Sequence, residues 1–218
     1  MISFPQNLIL EDERALLRPL EKTDLEFLLP FALNEPEIWK YSISSISGKN
    51  EMEEYINTTV DQRSMQKEYP FIVFDKQADA YAGSTRFYDI QLNNSATQLG
   101  YTWYGKNFQR TGLNRHCKLL MLEYAFEKWG MERVEFRANA KNDRSIAAMK
   151  KIGCTVEGIL RSCVVDENGR RDSIVLSILK NEWFGGVKKA LISLIEKDYH
   201  GSVHFPNPSL NISGSPEV

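Results

Sequence analysis

The segment QRTGLN, residues 109–114, has the composition of a loop that could bind an anion. It stands between a β-forming run and a long amphipathic stretch, it contains a glycine, and no acidic residue occurs from 107 to 122. The first four N–H groups of a helix lack partners within the helix, and the helix dipole adds a partial positive charge at that end. A helix that begins at this segment is therefore suited to bind a phosphate group.

Gly112 alone does not decide between a phosphate site and an ordinary turn, because glycine is typical of both. Two better defined phosphate motifs, GxxxxGK[ST] and a GxGxxG that follows a strand, do not occur here. A site for ATP would also need a pair of acidic metal ligands, and the residues beside the loop offer none. From these residues alone, phosphate binding and turn formation stay equally supported.

The stretch after the loop has an apolar face at the helical period, which predicts a helix over 113–130 packed on a core. The face consists of Leu113, Cys117, Leu120, Met121, Tyr124 and Ala125, whereas Arg115, Lys118 and Glu123 lie off it. We therefore expect no functional role for Cys117, Lys118, Leu122 or Trp129. His116 is expected to be solvated or near phosphate rather than catalytic.

Composition limits the class of protein. With 218 residues, 42% hydrophobic and 11% aromatic, the chain is expected to fold as one domain over 1–199. Residues 200–218 are rich in Ser, Pro, Asn and Gly, which predicts a flexible C-terminal tail. A net charge of -2 and a pI near 6.0 favour neither a nucleic-acid nor a membrane partner.

The cysteine pattern favours a reducing compartment. Cys117, Cys154 and Cys163 are odd in number and form no CxxC pair, and the N-terminus has no basic region followed by an apolar one. No run approaches 18 apolar residues, so no membrane span is expected. These features predict a cytoplasmic protein without a metal site.

The order of predicted elements is strand and helix first, then a run of antiparallel strands, then helices alternating with strands. Strands are expected at 14–20, 70–75, 81–90, 96–105, 133–140, 155–165 and 170–179. Helices are expected at 23–34, where Thr23 and Glu26 form a capping box, and at about 50–66, 113–130, 142–153 and from about 181. The segment DENG, 166–169, is expected to be a turn.

Five short motifs occur in an order that resembles the GNAT superfamily of acyl-CoA-dependent N-acyltransferases. They are QRTGLN, NDRS, KKIG, EGILR and RDSIVLSIL, and the resemblance runs from about Leu16 to Trp183. It is closest to the branch that includes the ribosomal-protein N-terminal acetyltransferases. The resemblance implies an α+β fold with a mixed, mostly antiparallel twisted sheet of about six to seven strands, flanked by helices and splayed between the fourth and fifth strands.

The resemblance also implies roles for individual residues. The main chain of the loop would hold the diphosphate of the co-substrate acetyl-CoA, and the strand before the loop would pair with pantetheine. The implied acetyl-CoA contacts are Thr102, Trp103, Tyr104, Gln109, Arg110, Thr111, Gly112, Leu113, Asn114 and Asn142. The implied catalytic residue is Ser145, beside the thioester sulfur. Asn142 and Ser145 also fit simple helix capping, and Trp103 fits core packing.

These roles imply an N-acetyltransferase in which a primary amine attacks the thioester directly in a ternary complex. The acceptor could be a protein N-terminus or a small-molecule amine, with Trp39, Tyr41, Arg86 and Tyr88 as candidate contacts. The general base is not identified, because Glu157 is more typical of a structural partner for an arginine such as Arg161. A non-catalytic acyl-CoA sensor, an acyltransferase for longer acyl-CoAs and a homodimer are left open.

Overall fold

The computed structural model describes residues 4–43, 45–166 and 169–201, which contain one open sheet of eight strands with helices on both faces. The strands are β1 (Leu10–Glu11), β2 (Ala15–Pro19), β3 (Tyr69–Asp75), β4 (Ala80–Gln91), β5 (Ala96–Tyr104), β6 (Arg133–Asn139), β7 (Thr155–Asp166) and β8 (Gly169–Leu179). Their order in the sheet is β1-β2-β3-β4-β5-β6-β8-β7. The eighth strand, beyond the six or seven expected, is the two-residue β1, which is too short to leave a sequence pattern.

The sheet opens between its two parallel neighbours. All other neighbouring strands pair antiparallel, but β5 and β6 run parallel and pair only from Ala96 to Gln98 on one strand and from Arg133 to Glu135 on the other. From Leu99 onward β5 pairs with β4 alone. β5 and β6 are the fourth and fifth of the strands predicted from the sequence, so the predicted splay between them is confirmed. The splay leaves one edge of β5 facing a cleft.

Alternation along β3 divides the core into two clusters, because successive side chains of a strand point to opposite faces. Phe71 and Val73 belong to the larger cluster, together with α3, and Ile72 belongs to the smaller one, together with α1 and α2. The helices are α1 (Leu25–Asn34), α2 (Lys49–Ser64), α3 (Leu113–Glu123), α4 (Asp143–Lys151), α5 (Lys180–Glu182) and α6 (Lys188–Gly201). Both faces of the sheet are thus covered around the cleft.

The first helix does not use the predicted Thr23 and Glu26 cap. Instead, the Glu21 backbone N–H donates to Asp24 Oδ2 at 2.8 Å. The same buried carboxylate accepts from Arg18 at 2.6 and 2.9 Å. This pair holds residues 22–24 in a 3-10 turn, so α1 begins only at Leu25.

Two further differences from the predicted elements concern helix ends. The helix expected over 113–130 ends as α3 at Glu123 and continues as a π-helical turn, Tyr124–Lys128. A second π-helical turn, Trp183–Val187, separates α5 from α6.

Parts of two predictions lie outside the described residues: the middle of the DENG turn and the tail from 202 onward. No helix within the described ranges is long and apolar enough to cross a membrane.

Candidate active site

The loop before α3 presents unpaired main-chain donors at the helix N-terminus. Arg110 and Gly112 are both left-handed, with φ of 66° and 92°. Within the described part of the chain, no acceptor receives the backbone N–H groups of Arg110, Thr111, Gly112 or Asn114. Left-handed residues in such loops turn successive N–H groups toward one side and form an anion-binding concavity. Four free donors at the positive end of a helix dipole are suited to a diphosphate.

The side chains of the loop hold its shape rather than occupy those donors. Gln109 Nε2 donates to the Tyr104 carbonyl at 2.8 Å, and Gln109 Oε1 accepts from Arg144 at 2.6 Å. Thr111 Oγ1 donates to the Phe108 carbonyl at 2.9 Å. The loop is therefore tied to β5 on one side and to α4 on the other by side chains, which leave the N–H groups of Arg110, Thr111, Gly112 and Asn114 without an acceptor among the described residues.

The last two residues of the loop differ in their surroundings. Leu113 is fully buried in the larger core cluster. Asn114 Oδ1 is buried and has no hydrogen-bond partner among the described residues. The Leu113 backbone N–H donates to Thr111 Oγ1 at 3.5 Å, so of these two residues only Asn114 offers a free main-chain donor.

An acidic side chain from α6 lies beside the loop. The sequence patterns did not indicate this contact. Asp198 forms an ion pair with Arg115 in the first turn of α3. A Cβ atom at Gly112 would lie 3.3 Å from Asp198 Oδ2. The carboxylate therefore lies where the helix dipole attracts anions, next to the free N–H groups.

β5 carries a bulge at the cleft. Its pairing with β4 shifts between Ser84 and Arg86, and Tyr101 is left-handed with φ of 48°. Two residues of β5, Tyr101 and Thr102, thus oppose Thr85 alone. A bulge leaves the extra residue outside the ladder and re-aims the local backbone, here at the open edge of the strand.

The three candidates on β5 are arranged differently around this bulge. Thr102 Oγ1 lies 2.7 Å from Thr85 Oγ1, on the face of the sheet that α3 covers. Trp103 is buried in the smaller cluster, where its Nε1 donates to the Tyr55 hydroxyl at 3.3 Å, so core packing accounts for its side chain. Tyr104 is buried in the larger cluster. The side chains of Trp103 and Tyr104 therefore serve core packing.

Asn142 and Ser145 lie at the start of α4, immediately after β6. Asn142 Oδ1 accepts from the Ser145 backbone N–H at 3.1 Å, so Asn142 is the N-cap of α4. The Ser145 hydroxyl takes no part in that cap and has no hydrogen-bond partner among the described residues. Because Arg144 binds Gln109, this helix start is joined to the loop. The structure thus brings the two motifs to one end of the cleft.

Lys118 is buried, in contrast to its predicted position off the apolar face. Its Nζ donates to Thr102 Oγ1 at 2.8 Å and approaches Thr85 Oγ1 at 3.5 Å. Burial lowers the pKa of Lys118 from 10.5 to about 8. Leu122 lies one helical turn after Lys118, on the same side of the helix, and is fully buried. This leucine is the feature of the sequence that indicates an apolar face wide enough to include the lysine.

Two other titratable residues have structural partners. His116 is buried rather than solvated, and its Nδ1 lies 2.7 Å from Asp12 Oδ2. Glu157 binds Arg133 instead of Arg161 and accepts from the Ser177 hydroxyl at 2.5 Å. The Arg133 guanidinium and this hydroxyl hold the pKa of the Glu157 carboxyl below its ordinary value. A carboxylate held in this way is a poor proton acceptor.

The predicted acceptor contacts divide into buried and exposed groups. Trp39 is buried against Trp103, with ring centroids 5.0 Å apart. The Arg86 guanidinium lies 4.1 Å from the ring centroid of Tyr101, the bulge residue, and pairs with Glu68 at 2.5 Å. Tyr88 packs edge-on against the same Tyr101 ring at 4.9 Å. An arginine and aromatic rings therefore surround the bulge.

Tyr41 is the most exposed of these candidates. The residue is 36% exposed, and its carbonyl accepts from Arg171 at 2.8 Å. The connector after α1 is thereby attached to β8, on the far side of the cleft from β4. Tyr41 is free to contact a molecule that enters from solvent.

The open mixed sheet, the bulged strand and the donor loop at a helix N-terminus define an α+β acyltransferase of the GNAT type. The family model for the acetyltransferase (GNAT) domain matches residues 14–155. The chain belongs to the GNAT acetyltransferase family and is an enzyme of that class.

Individual relatives support the same conclusion. The chain is 25% identical over 174 residues to the uncharacterized N-acetyltransferase p20 of Bacillus licheniformis, covering 79% of this chain and 97% of p20. It is 29% identical over 103 residues to YdaF of Bacillus subtilis, named provisionally as a ribosomal N-acetyltransferase, covering 47% of this chain and 56% of YdaF. The latter similarity agrees with the branch that the motifs indicated.

Solved structures confirm the fold. A GCN5-related N-acetyltransferase from Brucella melitensis superposes with a TM-score of 0.82 at 22% identity, covering 88% of this chain and 87% of that one. The ribosomal-protein-S5-alanine acetyltransferase of Vibrio fischeri gives a TM-score of 0.67 at 16% identity, covering 81% and 98%. At these identities the similarity concerns the fold.

Proposed function

We propose that the protein transfers an acetyl group from acetyl-CoA to a primary amine, by direct attack within a ternary complex. The observation that carries this proposal is the loop 109–114, where four N–H groups have no acceptor among the described residues and lie at a helix N-terminus beside an open, bulged strand. A diphosphate needs several main-chain donors and little side-chain contact, and this loop offers that arrangement. Because these donors supply the positive field, binding needs no metal ion.

The cleft offers binding groups for each part of acetyl-CoA. Free backbone groups of β5 extend from the loop toward the bulge, where they can pair with an extended chain such as pantetheine. When bound, acetyl-CoA supplies a thioester whose carbonyl carbon accepts the amine. A new C–N bond forms as the C–S bond breaks, the amine loses a proton, and the thiolate gains one.

Two groups of the chain assist the reaction, one by stabilising the developing negative charge and one by donating to the leaving sulfur. A backbone N–H at or after the bulge stabilises the negative charge that develops on the carbonyl oxygen. The Ser145 hydroxyl at the start of α4, which no described residue binds, donates a hydrogen bond or a proton to the departing sulfur. Free thiols have a pKa of about 8.5, so the thiolate needs only modest assistance.

A protein N-terminal α-amine is the acceptor class that we favour, with small-molecule amines second. An α-amine has a pKa of about 8 and is partly neutral near pH 7, whereas a lysine amine near 10.4 needs a stronger base. Glu157, the only base candidate from the sequence, is held by Arg133 and Ser177. Relatives named for ribosomal proteins support the same acceptor class. The site of action is then the cytoplasm, where such N-termini are made.

Thiol release from acetyl-CoA tests this proposal. The protein is mixed with acetyl-CoA and EDTA, and peptides with free N-termini, N-formylated copies of the same peptides, polyamines and amino sugars are supplied in turn. We expect thiol release only with a free amine, together with a product heavier by one acetyl group. Tight binding of acetyl-CoA without release for any amine would instead identify a sensor. Faster release with a longer acyl-CoA would reassign the donor.

A further inference from the structure

Lys118 is a buried cation without a described counter-ion. Only 5% of the residue is exposed, and none of the carboxylates in the described ranges forms an ion pair with it. Its partners are two neutral threonine hydroxyls. Burying an ammonium group without an opposite charge destabilises the folded state. Packing therefore gives no reason for a lysine here, since methionine would fill the same space without a charge.

The lysine reaches the sheet at the bulge. Thr102 and Thr85, its two partners, are the residues that face each other across the irregular step between β4 and β5. Lys118 Nζ can only donate, so Thr102 Oγ1 accepts from it and donates onward, to Thr85 Oγ1 at 2.7 Å or to the Gly100 carbonyl at 3.4 Å. This chain of hydrogen bonds fixes the backbone on both sides of Tyr101.

We propose that Lys118 is a positioning residue for the acyl transfer, whose ammonium acts through Thr102 to fix and polarise the bulge of β5 that faces the thioester carbonyl. The inference rests on the proposed function. A positive charge behind the bulge, screened from water, strengthens the field at the carbonyl oxygen as it becomes negative. The same charge that lowers the stability of the fold would thus lower the barrier to acyl transfer.

The matched variants are Lys118→Met, which removes the charge and its hydrogen bonds but keeps a similar volume, and Lys150→Met, which removes an exposed lysine on α4. For Lys118→Met we expect kcat to fall about tenfold or more, less than the hundredfold that a direct oxyanion donor provides. The acetyl-CoA dissociation constant should stay within about threefold, since a transition-state interaction alters kcat rather than binding. The melting temperature should rise, because an uncompensated buried charge is gone. Lys150→Met should match the wild type.

A pH profile separates this electrostatic role from packing. The wild type should lose its advantage over Lys118→Met as the pH rises through about 8, the pKa of Lys118. Its charged or titratable neighbours are the buried thiols of Cys117 and Cys154, whose pKa values burial raises to about 12, so both stay neutral. Titration of the acceptor amine cancels in the ratio of the two rates.

A double-mutant cycle tests the route through the threonine. In a Thr102→Val protein, Lys118→Met should lower kcat by much less than in the wild type, because the shared hydrogen bond is already absent.

The outcomes separate the two proposals. A Lys118→Met protein with wild-type kcat, or with lower kcat, a lower melting temperature and weaker acetyl-CoA binding, would overturn the role of Lys118. A wild type that releases no thiol would count against the acetyltransferase proposal instead. In that case the melting temperature of Lys118→Met still tests the role of Lys118. A melting temperature lower than that of the wild type would show that the lysine serves packing.

Discussion

Single residues at the start of α4 have separable duties. Sequence patterns left capping and catalysis open for Asn142 and Ser145 together. In the structure, the Asn142 side chain caps the helix through the Ser145 backbone N–H, and the Ser145 hydroxyl is not involved. Replacing each residue by alanine therefore removes a different function.

Ser145→Ala should lower kcat by about a hundredfold, the low end for proton donation, because serine is a weak acid. Its melting temperature and acetyl-CoA affinity should stay close to wild type, since the cap uses only its backbone. Asn142→Ala is the matched control, with a loss of about 1 kcal/mol of stability as a lost N-cap. Thiol release, calorimetry and thermal melts measure all three quantities. Normal kcat in Ser145→Ala would remove this hydroxyl from the mechanism.

The stability of the protein should depend on pH through Lys118. Its pKa is lowered on folding from 10.5 to about 8, so between these values the unfolded chain binds more protons than the folded one. Stability contributed by this group therefore rises with pH from about 8 to 10.5. The gain in unfolding free energy from Lys118→Met should be largest at or below pH 8 and should shrink toward pH 10.5. Urea titrations at several pH values measure it, and a gain independent of pH would contradict the buried charge.

At the scale of elements, helix α6 places a negative charge beside the loop. Asp198 on this helix lies beside Gly112 and pairs with Arg115. A carboxylate at this point competes with a diphosphate for the same positive helix end. The helix thus contributes an unfavourable charge to a site made by α3 and its loop.

Asp198→Asn should therefore bind acetyl-CoA more tightly, by about threefold, which corresponds to roughly 0.6 kcal/mol. Glu196→Gln is the control, because it removes an exposed acid from the same helix. Calorimetry at low salt measures both affinities, and the difference should shrink as salt screens the charges. Weaker binding in Asp198→Asn would mean that the carboxylate positions Arg115 for the ligand.

At the scale of the whole molecule, the sheet ends in an exposed apolar strand. Among the described strands β7 pairs with β8 alone, and its residues Ile159, Leu160 and Val165 are 55%, 42% and 60% exposed. An exposed edge strand with apolar residues is a site of association. We expect a second copy of the chain to pair along this edge. The homodimer that the sequence left open is therefore predicted to form through β7.

Light scattering at rising protein concentration tests the dimer. The wild type should have twice the mass of one chain, and Ile159→Asp should shift it toward the monomer. Ile9→Asp is the control, because Ile9 is 53% exposed at the opposite end of the sheet. A monomeric wild type, or equal dissociation by both variants, would exclude this edge as the interface.

Much of the architecture could be predicted from local patterns, and the remainder depends on long-range contacts. Alternation and helical period predicted the strands from β2 to β8, and motif order predicted the splay. Burial of Lys118 depends on how wide a face of α3 the sheet covers, and Asp198 meets the loop only through the docking of α6. No local pattern contains such contacts.

Backbone amide exchange tests the central claim, that the free N–H groups of the loop hold the diphosphate of acetyl-CoA without a metal. The measurement compares exchange rates at single residues in the protein with EDTA, before and after saturation with CoA. Slower exchange at Arg110, Thr111, Gly112 and Asn114, with little change along the outer strand β7, is the predicted result. Unchanged exchange in the loop of a CoA-saturated protein, or protection only when Mg²⁺ is added, would contradict it.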